Sequence, residues 1–375
     1  MNRPAARSAR GFTVTEVLVA GAIAAIIVAL STRAIVKTDH DQFLRKTVTD
    51  VQGSTRVALE VVAQDLRAAS LGAGTGVVWT ASGSNPAGRP AVQIFTAVPG
   101  GGKLDVKPGT DALLVVAAQP GPTAARTATV NTLTDSTQAI TVTDSSAFSA
   151  GTPVLLGDYG DASWGVVATA SPGGSTLQQL TLANSSVNVF PSQQMRQMGQ
   201  GASVRAARAH LYYVDANDEL VQLTLSVPRA PADYSEATAR VVLARGVENM
   251  QLDCQLDNGM GAFQGCPAPL TADPSPFDPL LTESTAAFGS FGSGQGPRIT
   301  TAVTSTSRVG LLRNVIVNVA ARSTHPVDPG QGDPKIALGS GQVVLPVGGA
   351  SDSAAYVRRA YQLVASPRNT ALGAF

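Results

Sequence analysis

The chain has 375 residues, of which 44% are hydrophobic, 5% aromatic and 14% charged, and its formal net charge is +1. This length and hydrophobic content can bury a core well beyond that of a minimal domain. The balanced charge gives no basic surface, so DNA is not predicted as a direct ligand. The many Gly and Pro residues and the few aromatics favour short strands joined by turns over a helical bundle.

The N-terminal part of the chain carries one long apolar segment. The run from Val17 to Leu30 is uninterrupted, and Glu16 carries the only charge between Arg10 and Arg33. With the adjoining residues, the segment 12–36 has about 25 residues, which is close to the length that a helix needs to cross a bilayer core of about 30 Å. The sequence therefore predicts a membrane-inserted helix.

The residues before this helix indicate its orientation and processing. The first ten residues carry three arginines and no acid, so the short N-terminal arm is expected in the cytoplasm and the rest of the chain outside it. An ordinary signal peptide is the alternative, with 20–22 as its cleavage site and a mature N-terminus near Ile23. Most of the apolar run would lie beyond that cut, and an unpaired Glu16 would be costly, so a retained helix is favoured.

The sequence Gly11-Phe12-Thr-Val-Thr-Glu16, which follows the basic leader, resembles the processing site of type IV prepilins and type II secretion pseudopilins. The resemblance implies cleavage after Gly11 by a prepilin peptidase and methylation of the new amine on Phe12. It also implies that Glu16 recruits the subunit into a helical filament. A buried carboxylate is tolerated beside a cation, which the terminal amine of a neighbouring subunit can supply. The alternative is a simple membrane anchor in which Glu16 has no role in assembly.

The apolar pattern continues beyond the membrane segment as an amphipathic helix. A stripe recurs at alternating spacings of four and three residues, formed by Leu44, Val48, Val51, Thr55, Ala58 and Val62. We therefore predict one helix from near Phe12 to about Ser70, ended by the glycines of 72–74, with its outer half packed on a sheet. The segment 64–69 resembles the Asp-Leu-Arg element of PilW-type minor pilins and J-type pseudopilins. We interpret it as a helix terminus with exposed charges.

Short β-type runs between turn signals follow the helix and predict antiparallel sheet. The predicted strands cover 91–98, 112–118, 127–133, 138–143, 153–156, 165–170, 177–182, 204–214, 220–225, 239–244, 246–254, 309–321, 336–345 and 356–364. The runs within 127–189 predict a small inserted β subdomain. Strands 204–214 and 220–225 predict a hairpin. The acids between them, Asp215 and Glu219, do not match calcium-loop spacing and indicate an ordinary turn.

Several ectodomain segments also resemble the PilW family. They are Gly151–Asp158 with Trp164–Val167, Tyr212–Val214 with the turn after it, Gly246–Cys254, and the C-terminal Arg358-Arg359 strand that leads to Arg368-Asn369. Thr152 departs from the aspartate that is usual in the first of these segments. We interpret Arg358 and Arg359 as surface or interface cations.

The two cysteines, Cys254 and Cys266, would meet an oxidising environment in an outward-facing domain. A disulfide between them is favoured over two free thiols, and it would close a small loop worth about 3 kcal/mol. A zinc site needs more ligands than the two cysteines, and only three histidines, His40, His210 and His325, are available in the chain, so neither a metal nor another cofactor is expected. The chain carries no Gly-x-Ser-x-Gly elbow and no His-Glu-x-x-His motif, so we predict that it is not an enzyme.

The helix and strand patterns predict an α+β fold, in which a long N-terminal helix packs on an antiparallel β-sheet ectodomain, and the resemblance implies that this fold is type IV pilin-like. The predicted organisation is a prepilin leader over 1–11, a transmembrane and filament-core helix over 12–36, its amphipathic continuation over 37–72, and a β-rich ectodomain over 73–375, with the insertion at 127–189.

The resemblance implies a minor pilin that helps initiate type IV pilus assembly in a priming or tip complex, and so supports twitching motility, adhesion or DNA uptake. Its implied partners are other minor pilins, the major pilin, the prepilin peptidase, the inner-membrane assembly platform and membrane lipid. The implied location is the bacterial inner membrane, crossed once, and then the pilus or cell surface. The alternatives are a J-type minor pseudopilin of type II secretion, a membrane-anchored adhesin or carbohydrate-binding ectodomain, and a secreted β enzyme.

Overall fold

One long N-terminal helix and a set of antiparallel β-sheets make up the structure, a computed structural model. The structure describes residues 13–69, 77–82, 85–95, 104–119, 124–126, 131–133, 139–146, 148–158, 161–170, 178–182, 196–198, 202–226, 239–257, 263–265, 311–323, 336–337, 343–344, 356 and 358–367. The chain divides into two compact units, Met1–Asp50 and Val51–Phe375, so the boundary between the units lies within the helix.

The helix, α1, spans Val14–Ala68. Its first half is rich in Ala, Leu, Ile and Val, and no proline interrupts the helix. Val17, Leu18 and Val19 point in different directions around α1 and are 60–69% exposed, so its apolar surface faces outward on all sides. By length and composition, α1 can cross a membrane. The helix ends close to the predicted Ser70, and the predicted stop at 72–74 lies outside the described residues.

The second half of α1 packs into the main hydrophobic core of the second unit. The predicted stripe is buried there, with Val51, Thr55, Ala58 and Val62 each at most 6% exposed. Helix side chains share one cluster with strand residues that include Ile94, Leu113, Tyr212, Val214, Met250, Val315 and Val317. Each fully buried aliphatic side chain contributes roughly 1.5–3 kcal/mol. The prediction that the outer half of the helix packs on a sheet is confirmed.

Twenty strands lie within the described part of the chain. They are β1 (Val77–Ser82), β2 (Asn85–Pro90), β3 (Val92–Phe95), β4 (Ala112–Ala118), β5 (Ala124–Arg126), β6 (Asn131–Leu133), β7 (Ala139–Val142), β8 (Pro153–Asp158), β9 (Asp161–Ala170), β10 (Gln178–Leu182), β11 (Arg196–Met198), β12 (Ser203–Val214), β13 (Glu219–Leu225), β14 (Arg240–Arg245), β15 (Val247–Asp257), β16 (Phe263–Gly265), β17 (Leu311–Arg322), β18 (Ile336–Ala337), β19 (Val343–Val344) and β20 (Arg358–Ala365).

The first sheet is organised around the long strand β12. The second half of β12 pairs with β4 and β13, and its first half pairs with β5 and β8. Strand β3 adds to β4, β14 adds to β13, and β8 continues the sheet through β9 to β1 and β2. The pairing of Val214 with Leu220 closes the predicted hairpin of β12 and β13. One pair departs from the predicted antiparallel arrangement, because β1 runs parallel to β9.

The second sheet has the strand order β16-β15-β17-β20 and is antiparallel. Asp111, at the start of β4, joins it to the first sheet: its carboxylate accepts the Leu252 N–H at 2.7 Å, and its own N–H donates to the Met250 carbonyl at 2.9 Å. These bonds satisfy backbone groups where two sheets meet, which would otherwise be costly to bury. Both sheets and the outer half of α1 therefore share one core.

A third hydrophobic cluster lies under strands β7 to β10 and the start of β12. Ile140, Val154, Val167, Leu180 and Val204 are buried in it. Strands β8 and β9 are hydrogen-bonded into the first sheet, and β10 and β7 extend it from β9. This cluster falls mostly within the range 127–189, whose role as an inserted subdomain stays a prediction.

Some strands differ from the predicted ones. Strands β1 and β2 were not predicted. Strand β2 contains two prolines and a glycine, residues that disfavour a strand when the sequence is considered without its pairing partner. The single strand predicted over 336–345 contains two short paired strands, β18 and β19. Strand β15 continues to Asp257, beyond the end predicted at 254, and pairs with the short β16.

Candidate functional site

The start of α1 forms a capping box between Thr13 and Glu16. The Thr13 N–H and the Thr13 hydroxyl both donate to Glu16 Oε2, each at 2.9 Å, and the Glu16 N–H donates to Thr13 Oγ1 at 3.3 Å. This reciprocal arrangement satisfies backbone donors that have no partner within the helix. Among the described residues, the second carboxylate oxygen, Oε1, accepts no hydrogen bond, so it is available to a donor from another molecule.

Glu16 lies at the edge of an apolar surface. Val17, Leu18 and Val19 follow it directly, and all three are exposed. Gly11 and Phe12, the predicted cleavage and methylation positions, lie outside the described residues. Within residues 13–50, Glu16 is therefore a fixed carboxylate on an exposed apolar helix.

Near the other end of α1, Asp65 is the centre of a buried polar cluster. It is 5% exposed and contacts three side chains of β12: Arg208 Nη2 donates to Oδ1 at 2.8 Å, while His210 Nδ1 and the Tyr212 hydroxyl contact Oδ2. Gln222 on β13 donates its Nε2 to the Tyr212 hydroxyl at 2.9 Å. The interpretation of segment 64–69 as a terminus with exposed charges is wrong for Asp65, since the carboxylate docks the last turns of α1 on the sheet.

This cluster shifts the pKa values of two of its members. Burial alone would raise the pKa of Asp65, but hydrogen bonds from His210 and Tyr212 and attraction to His210 and Arg208 hold it below its usual value. Burial and the Asp65 carboxylate raise the pKa of the Tyr212 phenol far above its ordinary value. Tyr212 therefore stays a hydrogen-bond donor to an ionised Asp65.

The turn between β12 and β13 carries a second cluster. Asp215, which is 1% exposed, accepts the Asn217 and Glu219 N–H groups at 2.9 and 2.8 Å and pairs with Arg240. These bonds make it an ordinary aspartate-stabilised turn, as predicted. Within the described residues, no group of three or more His, Cys, Asp or Glu side chains is placed to hold a metal ion.

A chain of ion pairs continues from this turn into the second sheet. Asp218 pairs with Lys107 and accepts Arg322 Nη2 at 2.7 Å. Arg358 donates two bonds to Glu248, at 2.7 and 2.9 Å, with both side chains at most 5% exposed. The interpretation of Arg358 as a surface cation is therefore wrong, because Glu248 neutralises it in the interior. Arg359, in contrast, is exposed.

The neighbouring backbone requires a glycine. Gly246 has a φ of +77°, and a Cβ there would lie 2.4 Å from the Arg322 carbonyl oxygen. The Arg322 N–H donates to the Gly246 carbonyl at 2.7 Å. Only glycine adopts a positive φ and also lets two backbones approach this closely without strain.

Cys254 is disulfide-bonded, and its side chain lies in the core. Its predicted partner, Cys266, lies outside the described residues. Strand β16 ends at Gly265, which pairs with Gln255, the residue that follows Cys254.

The buried ion pairs have weaker sequence signals than the start of α1. Charged residues are ordinarily exposed, and the partners of Asp65 and Arg358 lie more than 100 residues away along the chain. A usable signal was that Asp65 follows the buried stripe at helical spacing, three residues after Val62.

Comparison with known proteins adds no family assignment: no family model, no curated protein and no solved structure matches this chain.

Proposed function

We propose that this chain is a PilW-type minor pilin that helps to initiate type IV pilus assembly within a priming or tip complex. The observation that carries the proposal is the start of α1. A single carboxylate stands at the beginning of the exposed apolar first half of α1, and one of its oxygens has no partner within the described chain. The leader sequence before it, with Gly11 and Phe12, supports the same conclusion.

In the proposed mechanism, the apolar half of α1 first resides in the inner membrane and then packs against the same segment of other subunits. Lipid and neighbouring helices both suit its aliphatic side chains. A carboxylate carried into such a bundle requires a cation. The methylated amine of Phe12 on a neighbouring subunit supplies that cation, while the Thr13 bonds hold Glu16 in place beforehand.

The second unit supplies the head that contacts the other minor pilins and the major pilin. Its helical segment is docked by a buried stripe and by Asp65, which suits a rigid structural subunit. The disulfide at Cys254 supports an outward-facing location, because disulfides persist in oxidising compartments. Orientation with the N-terminus in the cytoplasm is part of the proposal.

The first test is the mature N-terminus. Protein isolated from the membrane of its own host is digested, and its N-terminal peptide is identified by mass spectrometry. The proposal requires a peptide that begins at Phe12 and carries an N-methyl group. A peptide that begins near Ile23 would indicate signal-peptide cleavage, and one that retains Met1 would indicate an unprocessed anchor. Either result refutes the proposal.

The second test separates the pairing role of Glu16 from its capping role. Glu16→Ala removes both, whereas Thr13→Ala removes only the hydroxyl partner of the capping box. We expect the amount of pili that can be sheared from the cell surface to fall to background with Glu16→Ala and to stay close to wild type with Thr13→Ala. Immunoblots should show equal levels of the two variant proteins. Equal effects of the two variants would assign Glu16 to helix capping alone.

Glu60→Ala is the matched control for this test, since Glu60 is an exposed glutamate of the same helix. It should leave pili unchanged. If Glu16→Ala leaves pili intact and instead blocks export of a secreted enzyme, the chain is a J-type pseudopilin. Intact pili with lost surface adhesion would indicate the anchored adhesin.

A further inference from the structure

The second sheet has one face in the core and one face turned away from it. Met250, Leu252, Val315 and Val317 point into the core. Because side chains alternate along a strand, the residues between them lie on the opposite face. This opposite face of β15, β17 and β20 is built mainly from amide side chains.

The first row across this face consists of Gln255 on β15, Asn314 on β17 and Ser366, which directly follows β20. Asn314 Nδ2 donates to Gln255 Oε1 at 2.7 Å, and the Ser366 hydroxyl donates to Asn314 Oδ1. The pairing of Gln255 with Asn314 places both side chains directly opposite each other. The hydrogen bonds hold this row in one orientation.

Another row, four residues further along β17, pairs Asn318 with Gln362. Gln362 Nε2 donates to Asn318 Oδ1 at 3.0 Å, and Gln362 is exposed. A side-chain amide offers two N–H donors and an oxygen acceptor, so one N–H and the oxygen of Gln362 have no partner among the described residues and can serve a ligand.

The row between them is aliphatic on β17 and β20 and carries a carboxylate on β15. Ile316 pairs with Val364, which is 52% exposed, and Asp253 lies opposite Ile316 on β15. We call these three rows the amide face. Its centre is an aliphatic strip, and amides and a hydroxyl line the strip on both sides.

The charge of the amide face selects among ligand classes. Asp253 is the only ionisable side chain in the three rows, so the face has no cation for a polyanion such as DNA. The arginines at the far end of the same face, Arg322 and Arg358, are paired with Glu248. Protein interfaces depend on aromatic, Met and Arg anchors, and the three rows contain none.

We propose that the amide face binds a neutral polysaccharide. Sugar hydroxyls both donate and accept hydrogen bonds, which matches the donors and acceptors of Gln362, Asn314 and Ser366 that have no partner within the described residues. The C–H face of a sugar ring matches the strip of Ile316 and Val364. This inference goes beyond the proposed assembly function, since assembly requires no ligand on this sheet, and it would give a pilus subunit a glycan contact.

The test is native affinity electrophoresis of the full chain in a polyoxyethylene detergent, which carries no sugar headgroup. Gels contain dextran or hydroxyethyl cellulose as neutral probes and dextran sulfate as the anionic comparison. We expect retardation of the wild type by at least one neutral probe and none by dextran sulfate. Gln362→Ala should weaken binding about fivefold, as expected for the loss of one hydrogen bond.

Gln64→Ala, an exposed glutamine on α1, is the matched control and should bind as the wild type does. Val364→Asp should abolish retardation by placing a charge in the aliphatic strip. If Gln362→Ala proves misfolded by circular dichroism, Ser366→Ala replaces it with the same expected loss. Absence of retardation by both neutral probes, retardation by dextran sulfate instead, or unchanged binding by the amide-face variants would each overturn the proposal. These results do not depend on pilus assembly.

Discussion

The buried carboxylate of Asp65 gives the sharpest test of how the outer half of α1 is held on the sheet. Asp65→Asn keeps the shape of the side chain but removes its charge and replaces one acceptor oxygen with a donor. Arg208, which approaches to 2.8 Å, then faces either an NH₂ group or an uncharged oxygen. Breaking a buried charge pair costs about 3–5 kcal/mol. Because the Arg208 side chain is 24% exposed and can regain water, we expect about 3 kcal/mol.

The assay is urea denaturation of the full chain in detergent, followed by tryptophan fluorescence. Trp164 is a suitable probe because it is fully buried and donates Nε1–H to the Ser226 carbonyl at 2.9 Å. Glu60→Gln is the control, since the Glu60–Arg67 pair on the same helix is exposed and should contribute less than about 1 kcal/mol. If Asp65→Asn unfolds at the wild-type urea concentration, Asp65 does not hold the helix.

The stability difference between the wild type and Asp65→Asn should also depend on pH in a defined direction. The pKa of Asp65 is lower in the folded state than its usual value, because hydrogen bonds from His210 and Tyr212 and attraction to His210 and Arg208 outweigh the effect of burial. Its stabilisation is therefore complete above the unfolded pKa, near 4, and is lost as the pH falls through the folded pKa. The stability gap between wild type and Asp65→Asn should be constant at neutral pH and narrow below about pH 4. A gap that widens in acid would contradict this assignment.

Three further substitutions test the second sheet by the same urea assay. Glu248→Gln leaves the buried Arg358 without its charge partner and should cost about 3–5 kcal/mol; a loss below 1 kcal/mol would contradict the buried pair. Gly246→Ala should cost more than the roughly 1–2 kcal/mol of its positive φ, because the new Cβ also meets the Arg322 carbonyl, and an unchanged midpoint would show that the turn relaxes freely. Cys254→Ser should destabilise by about 3 kcal/mol, and a reductant should have the same effect on the wild type but none on the variant.

The helix and the central strands could be predicted from sequence because their signals are local. The apolar run fixes the first half of α1, and the stripe from Val51 to Val62 fixes its buried side. Strand β4 coincides with its predicted range, since seven consecutive apolar residues between turn signals can only be accommodated where both faces are covered. Here the local preference and the tertiary environment agree.

The buried ion pairs could not be predicted, because each joins residues that only the fold brings together. An isolated Asp or Arg has no sequence pattern that distinguishes a buried partner from water. Strand β2 is a similar case, since its prolines disfavour a strand until β1 is present to pair with it. These positions depend on tertiary contacts, which local sequence preferences do not predict.

The two ends of α1 use an acid in opposite ways, and this contrast makes the proposed function testable. Asp65 is enclosed, and its oxygens are occupied by donors of its own chain. Glu16 is exposed, and within the described residues its only hydrogen-bond partner is Thr13. Removing the Asp65 charge should therefore destabilise the head itself. Removing the Glu16 charge should leave the head folded, so a loss of pili in that variant would report on contacts between subunits.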